Sequence, residues 1–471
     1  MTTKQGRTPT MTSPPPPAAG TETAAGNLIL DHYDRLPAVV AACVTDPAPR
    51  PDAEGFRPAF AFPALDPATR AYYSAATARW QPLGHYRGHP LTLLDLTGNP
   101  GTGTTKTFPS LLIVARAVEH IRRTGTPVML CTPTSGNKGT ALRDAVLRAL
   151  EAGLAEPHEL RITTLAPLSS HDKLRRSRLS ADSELQALNP LLLLDSERAE
   201  DVKPLARAFA DAHAQAWARE TGGRLWFSLE LENYLVADAA RAFFENRVAP
   251  CDHGPKRLHA HAVSSAFGLL GYHQGRTVLE ESGESSPESR PASLLVQHLS
   301  TPDMVLRWKY GSFDRSHLPH YTLDPATGLH FQHEDPAFPR TVHRLDEVLD
   351  PTFYTHRPAT SPAMNELIDR HGGAGIVVSL QECLERYPLI SGLLGDTAAR
   401  LPDDPRTLTE WSLVMALTGV LNAIDRDLAG DGPVVIHGSG TYARGDYDTV
   451  DAADYHVVRS VEDVAAAVWK R

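Results

Sequence analysis

From residue 91 onward, short apolar runs alternate with longer segments whose apolar residues recur at helical spacing. Strands are predicted at 91–96, 127–131, 161–165, 259–263, 294–299 and 433–437. Helices are predicted at 108–123, 139–152, 204–220 and 410–428. Strands that alternate with helices in this way form mostly parallel sheets with helices on both faces. The sequence therefore predicts an α/β fold.

The length and composition predict two packed domains with extensions. The chain has 471 residues, of which 42% are hydrophobic, so it is too long for one small domain. We expect a disordered tail at 1–26, which is rich in Thr, Pro, Ala and Gly, and an N-terminal extension at 27–90. The first α/β half is then 91–250 and the second is 251–471. Within the second half, the polar stretch 276–293 predicts an exposed insertion.

Charge and cysteine content exclude several classes of function. The net charge of −10 argues against nucleic-acid and acidic-membrane partners. No segment reaches the roughly 18 apolar residues of a membrane span, and the N-terminus lacks the apolar core of a signal peptide. The four cysteines form no C-x-x-C pair, and the histidines lack H-E-x-x-H spacing, so no metal is expected. A cytoplasmic protein with reduced thiols is expected.

The first candidate site residue is Lys106, in the run Thr104-Thr105-Lys106-Thr107-Phe108. Its neighbours are hydroxyl and apolar side chains rather than charges. Desolvation in such surroundings lowers the pKa of a lysine and favours the neutral, nucleophilic amine. A neutral amine can form a Schiff base with an aldehyde. The alternative is an ordinary surface lysine at the start of a helix.

A second candidate lies about one strand–helix unit later, in Thr134-Ser135-Gly136-Asn137-Lys138-Gly139. An apolar strand followed by this turn and a helix places free backbone N–H groups at the positive end of the helix, where an anion binds. The alternative is simple capping of the helix, since Thr, Ser and Asn are preferred cap residues. Taken together with Lys106, the turn suggests a site for pyridoxal 5′-phosphate (PLP) and an amino-acid carboxylate.

A nucleotide-binding P-loop is the rival interpretation. The glycine-rich run 98–107 ends in Lys106 and Thr107, and the apolar run 191–194 before Asp195 could serve as the metal-binding strand. That motif requires glycine immediately before the lysine, so that the lysine folds back over the phosphates. Here Thr104 and Thr105 intervene, and this spacing argues against an NTPase.

The order of these segments resembles threonine synthase, a member of the tryptophan-synthase-β class (fold type II) of PLP enzymes. The run 103–108 resembles the lysine segment of that family, and 134–141 resembles its Ser-Gly-Asp/Asn-Thr-Gly turn. Ser264-Ser265-Ala266-Phe267-Gly268 is similar to its Gly-Asn-Phe-Gly phosphate loop. Weaker similarities are at 232–237 and 360–365. The resemblance spans residues 90 to 445.

The resemblance implies a role for each matched residue. Lys106 would hold PLP and act as the catalytic acid and base. The substrate would contact Thr134, Ser135, Gly136 and Lys138. The remaining cofactor contacts would come from Asn137 at the ring hydroxyl, from the phosphate loop (Ser264, Ser265, Ala266, Phe267 and Gly268), and from Ser439 or Thr441 at the pyridine nitrogen. A hydroxyl at that nitrogen suits elimination or replacement better than transamination.

The sequence departs from this family at several of these positions. Thr107 stands where threonine synthases carry Asp, Lys138 replaces a Thr, and the phosphate loop has Ser and Ala in place of Gly and Asn. The prediction is therefore a homodimeric PLP enzyme of specialised amino-acid metabolism that eliminates or replaces a β or γ group. A P-loop NTPase and a non-catalytic protein with the PLP-enzyme fold are the alternatives.

Overall fold

The computed structural model describes residues 23–50, 55–250, 254–353 and 355–469. Its strands are β1 (Ala24–Asn27), β2 (Thr77–Tyr86), β3 (His89–Asp95), β4 (Val128–Pro133), β5 (Leu160–Pro167), β6 (Leu191–Leu194), β7 (Arg224–Phe227), β8 (Leu258–Ala262), β9 (Ala292–His298), β10 (Thr322–Leu323), β11 (His330–Phe331), β12 (Thr341–Val342), β13 (Gly373–Val378), β14 (Leu408–Glu410), β15 (Val434–Gly438), β16 (Tyr442–Ala443) and β17 (His456–Val458).

Helices separate most of these strands. They are α1 (Leu36–Cys43), α2 (Pro67–Tyr73), α3 (Thr107–Thr124), α4 (Asn137–Glu151), α5 (Arg178–Ala181), α6 (Ser183–Leu188), α7 (Val202–Thr221), α8 (Leu231–Asp238), α9 (Ala240–Val248), α10 (Phe267–Glu281), α11 (Asp303–Tyr310), α12 (Ser361–His371), α13 (Leu380–Leu394), α14 (Ser412–Asp425) and α15 (Val461–Val468). None of the helices in the described ranges is long and apolar enough to cross a membrane.

Two sheets organise the fold. The larger has the strand order β1-β2-β3-β15-β8-β9-β13, parallel from β3 to β13, and antiparallel at its β1-β2-β3 edge. The smaller has the order β17-β6-β5-β4-β7 and is parallel throughout. Strands β4, β8 and β15 are buried along their whole length, as expected for parallel strands covered on both faces. The predicted α/β fold with mostly parallel sheets is confirmed.

The cores lie against these sheets. Helix α14 is buried on nearly every side and packs against β8, β9, β13 and β15 of the larger sheet. A Cβ atom on Gly419 would lie 2.5 Å from Cγ2 of Val296, so glycine allows this helix to approach β9 closely. The smaller sheet has a separate apolar core with α7 and α15, built around Phe209, Trp217 and Val464.

No single boundary in the sequence separates the strands of the two sheets. Strand β3 belongs to the larger sheet, although all but its first two residues lie in the expected first half, 91–250. Strand β17 belongs to the smaller sheet, although it lies in the expected second half. The expected extension 27–90 supplies β2. Residues 24–26, expected to be part of the disordered tail, pair with β2 through their backbone, which needs no apolar side chains. Residues 1–22 of that tail lie outside the described ranges.

Two local predictions differ from the structure. The stretch 276–293 is not wholly an exposed insertion, because α10 continues to Glu281 and buries Arg276, whose guanidinium donates to the hydroxyls of Ser285 and Ser289. The helix predicted at 410–428 begins at Ser412, and Glu410 instead ends β14. The Glu410 carboxylate accepts the Ser412 N–H at 3.1 Å, and this contact marks the start of the helix.

Candidate active site

The carboxyl ends of the two parallel sheets face one cavity. Strands β3, β15 and β8 are neighbours, and the loops that follow them carry Lys106, Ser439 and Ser264–Gly268. The loops after β4 and β7 in the smaller sheet carry the Thr134–Gly139 turn and Leu229. These segments line a cavity of about 180 Å³. Ligand sites of α/β proteins form at this edge of a parallel sheet.

Lys106 lies at the start of α3 and borders the cavity. Its side chain is half-buried, and its Nζ lies 5.4 Å from the ring centre of Tyr234. Burial lowers the pKa of Lys106, although Asp238 partly opposes that shift. No residue in the described ranges forms a hydrogen bond or ion pair with this amine. The position favours the neutral, nucleophilic amine that the sequence predicts.

The loop before Lys106 is held against the loop after β15. The Thr105 N–H donates to the carbonyl of Ser439 at 2.8 Å, and Thr104 forms an isolated antiparallel bridge with Gly440. Ser439 is buried in the cavity wall, and its hydroxyl has no partner among the described residues. Thr441 does not border the cavity. Of the two hydroxyls that the sequence left open, Ser439 is the one that borders the same cavity as Lys106.

The segment Ser264–Gly268 forms the opposite part of the larger-sheet wall and leads into α10. The first N–H groups of a helix lack partners within the helix, so this end offers donors to an anion. Ala266 has a φ of 52°, a left-handed conformation that usually selects glycine. A Cβ on Gly268 would lie 2.7 Å from Nη1 of Arg241 and 2.9 Å from Nε2 of His261. The loop therefore rests directly on a buried guanidinium.

Arg241 is fully buried below this loop, and the sequence analysis did not identify it. Its guanidinium donates to Asp238 Oδ1 at 2.6 Å and to Thr105 Oγ1 at 2.6 Å. It also lies 3.2 Å from Nδ1 of His437. Burial and then Arg241 lower the pKa of His261 to about 3, so this histidine stays neutral. The detectable signal was the spacing of Asp238 and Arg241, three residues apart at the junction of α8 and α9 and flanked by apolar residues, which suits an ion pair.

The Thr134–Gly139 turn forms the wall from the smaller sheet. Thr134 Oγ1 accepts the N–H groups of Gly136 and Gly139 at 3.0 and 2.8 Å. The backbone of Gly136 has a φ of 136°, which only glycine adopts readily, and its Cα packs against Lys173. Thr134, Ser135, Asn137 and Lys138 border the cavity, whereas Gly136 does not. The turn therefore brings the positive end of α4 to the cavity.

Asn137 belongs both to the turn and to a buried group of side chains that we call the ionic cluster. The ionic cluster consists of Asn137, Lys173, Asp350, Glu410 and Tyr442. Nδ2 of Asn137 donates to Glu410 Oε2 at 2.6 Å, and the Tyr442 hydroxyl donates to Asn137 Oδ1. Lys173 Nζ lies 2.7 Å from Asp350 Oδ2 and 2.9 Å from Glu410 Oε2. Burial alone would lower the pKa of Lys173, but these two carboxylates outweigh it and raise the pKa above its usual value. The cluster fixes the side chain of Asn137.

Lys138 has different surroundings. It is 8% exposed, and its Nζ is buried without a hydrogen-bond partner among the described residues. Burial and then the charge of Lys106 lower its pKa to about 7. A second lysine of this wall, Lys203 on α7, also borders the cavity. Burial also lowers the pKa of Lys203, so three lysines with lowered pKa values border the same space.

The P-loop interpretation conflicts with the topology. The glycine-rich run follows β3 of the larger sheet, whereas the strand before Asp195 is β6 of the smaller sheet. In a P-loop NTPase, both segments must reach one phosphate-bound magnesium ion. Asp195 instead lies at the surface in an ion pair of 2.6 Å with Arg459. Within the described part of the chain, no three His, Cys, Asp or Glu side chains are placed to hold a metal ion.

Comparison with protein families identifies one that covers almost the whole chain. A family described as a family of unknown function, DUF6002, matches residues 24–471. The chain belongs to the DUF6002 family. None of the curated proteins matches its sequence.

Solved structures show the same fold at low sequence identity. Threonine synthase from Escherichia coli is 14% identical, with a TM-score of 0.56, and the match covers 93% of this chain and 88% of that chain. Yeast threonine synthase is 11% identical, with a TM-score of 0.53 and coverage of 91% and 95%. A PLP-bound threonine synthase from Brucella melitensis is 11% identical, with a TM-score of 0.48 and coverage of 80% and 78%. The first two matches confirm the expected fold type II architecture.

Proposed function

We propose that this protein is a PLP-dependent enzyme that eliminates or replaces a β or γ group of an amino acid. The observation that carries the proposal is one cavity bordered by three groups that suit PLP. These groups are the amine of Lys106, the unpartnered hydroxyl of Ser439 and the start of α10. They lie in the fold of the threonine synthases, which supports the same assignment.

The residues present fit this cofactor. Lys106 would hold its aldehyde carbon, and the N–H groups of the Ser264–Gly268 loop would bind its phosphate. Ser439 has an unused hydroxyl for the pyridine nitrogen, and Asn137 is held by Glu410 and Tyr442 at the cavity wall, where it would contact the ring hydroxyl. When bound, PLP supplies an aldehyde for the amine of the substrate and a ring that accepts electron density from its α-carbon.

The protein residues would perform the proton transfer and the positioning. Ser135 and the backbone N–H groups at the start of α4 would bind the substrate carboxylate. Lys106 Nζ would take the proton from the α-carbon, because burial favours its neutral form. The same amine would then return a proton to the product or to the leaving group. With the Ser439 hydroxyl as its partner, the pyridine nitrogen would stay largely unprotonated, and this would favour elimination or replacement over transamination.

The experiment is to add PLP to the purified chain and record its visible spectrum. A yellow protein that releases ammonia and a keto acid, or a replacement product, from amino acids supports the proposal. The variant Lys106→Ala should lose both the colour and the activity, whereas Lys256→Ala, at an exposed lysine, should keep them. A chain that stays colourless with PLP and converts no amino acid would favour the non-catalytic alternative. The homodimer and the cytoplasmic location stay predictions.

A further inference from the structure

The charges of the cavity are strongly unbalanced. Among the described lining residues, four are basic: Lys106, Lys138, Lys203 and Arg241. The one acid among them is Asp238, and its carboxylate is already bound by Arg241. An excess of positive charge in a buried space favours an anionic ligand.

Lys138 is the clearest case of an unmatched charge. Its Nζ is buried and unpartnered among the described residues, although a buried ammonium group is normally paired. The carboxylate that most raises the pKa of Lys138 is Glu230, and that carboxylate is in an ion pair of 3.1 Å with Arg116. The protein therefore leaves the amine of Lys138 next to the cavity without a counter-ion among the described residues.

The position of Lys138 separates it from the anion site of the larger sheet. It lies on α4 and Lys203 lies on α7, and both helices pack on the smaller sheet. The Ser264–Gly268 loop, which suits the cofactor phosphate, belongs to the larger sheet. The backbone N–H groups of the Ser135–Asn137 turn suit the α-carboxylate of a substrate. Lys138 is thus available for a further acidic group.

We infer that Lys138 binds a second anionic group of the substrate, a side-chain carboxylate, so that the substrate is an amino acid with an acidic side chain. The inference rests on the proposed function and names its substrate class. A carboxylate suits this wall better than a phosphate does. A phosphate group carries a charge of about −1.5 to −2 at pH 7, whereas a side-chain carboxylate carries one negative charge. This wall holds one lysine, Lys138, whose amine has no hydrogen-bond partner among the described residues, so a single negative charge matches it.

The test measures the binding of matched acid and amide pairs to the full chain loaded with PLP. Aspartate is compared with asparagine and glutamate with glutamine by spectral titration. The acid of at least one pair should bind about tenfold more tightly than its amide, as expected for a charged hydrogen bond. Lys138→Met should reduce that ratio to about one. Lys256→Met, which removes an exposed lysine, should leave it unchanged.

A second measurement needs no variant, so it decides the question even if Lys138→Met does not fold. Binding of the acid at pH 8 should take up a proton, because a new counter-ion raises the pKa of Lys138 from about 7. Calorimetry in two buffers of different ionisation enthalpy measures that uptake. Lys106, Lys203, Glu230 and Cys131 also influence Lys138, and the amide ligand controls for their titration.

Several results would overturn the inference. These are equal binding of acid and amide by the wild-type chain, a ratio that survives Lys138→Met, and tighter binding of phosphoserine than of either dicarboxylic amino acid. A yellow chain with any of these results would contradict the substrate class alone. A chain that does not bind PLP would contradict both the proposed function and the inference.

Discussion

The ionic cluster and the cavity each contain a buried lysine from the smaller-sheet half. One of these lysines is paired with carboxylates and the other is not, and their pKa values shift in opposite directions. Lys173 contacts the carboxylates of Asp350 and Glu410, and its pKa is raised. Lys138 has no partner among the described residues, and its pKa is lowered to about 7. A buried charge that the protein pairs contributes to the folded structure, whereas one that it leaves unpaired is available to a ligand.

The largest expected effect is the difference in stability between a variant that lacks Lys173 and one that lacks Lys138. Lys173→Met should lower the free energy of unfolding by about 3–5 kcal/mol, because it leaves two buried carboxylates without their cation. Lys138→Met removes an unpaired buried amine and should leave stability unchanged or raise it. Urea unfolding of both variants measures the difference. Equal losses would show that the two lysines do not differ as described.

The pH dependence of stability should also separate the two regions. The pKa of Lys138 is about 7 in the folded chain and returns to its usual value of 10.5 on unfolding. Between these values the unfolded chain binds more protons, so stability rises with pH relative to Lys138→Met. The slope of that difference should reach about 1.4 kcal/mol per pH unit. A difference that is flat from pH 7 to 10 would show that Lys138 is not buried as an unpaired amine.

The contact between Gly268 and Arg241 tests whether a paired buried charge positions the Ser264–Gly268 loop at the cavity. Gly268→Ala would place a Cβ 2.7 Å from Nη1 and 2.8 Å from Nη2 of Arg241, so the loop must move. PLP affinity should fall about tenfold, since the N–H donors of α10 shift with the loop. Gly392→Ala is the control, because nothing lies within 4 Å of that exposed position on α13. Unchanged PLP binding in Gly268→Ala would show that this loop does not bind the cofactor.

The smallest effect should distinguish two unpartnered hydroxyls. Ser439→Ala should shift the visible absorption of the bound cofactor and weaken PLP binding severalfold, because one hydrogen bond contributes about 1 kcal/mol. Thr441→Ala should change neither, because Thr441 does not border the cavity. If only Thr441→Ala had an effect, the hydroxyl at the pyridine nitrogen would be that of Thr441 rather than that of Ser439.

Local patterns in the sequence were sufficient to predict most of the fold and several residues of the candidate site. The apolar runs that gave β4, β8 and β15 are buried on both faces, so their composition alone identifies them. The Thr134–Gly139 turn follows β4 directly, and Lys106 ends the loop that follows β3. Parallel strands of one sheet bring their carboxyl ends to the same edge, and in this structure those edges of the two sheets face one cavity.

The ionic cluster had no comparable signal. Lys173 and Asp350 are 177 residues apart, and Asp350 comes from a stretch without clear periodicity. Glu410 is the first residue of the predicted helix 410–428, where an acid indicates solvent exposure rather than a buried contact with Asn137. Pairing over such distances depends on how the two sheets are joined, which no local pattern describes. The sequence for the same reason did not show which hydroxyl, Ser439 or Thr441, lies beside Lys106.

The most direct measurement is chemical mapping of the lysine that holds PLP. The full chain is loaded with PLP, reduced with borohydride, digested, and its peptides are identified by mass spectrometry. The pyridoxyl group should be on Lys106, because its amine borders the cavity and burial lowers its pKa. Modification of Lys138 or Lys203 instead, or of no lysine, would contradict the proposed site.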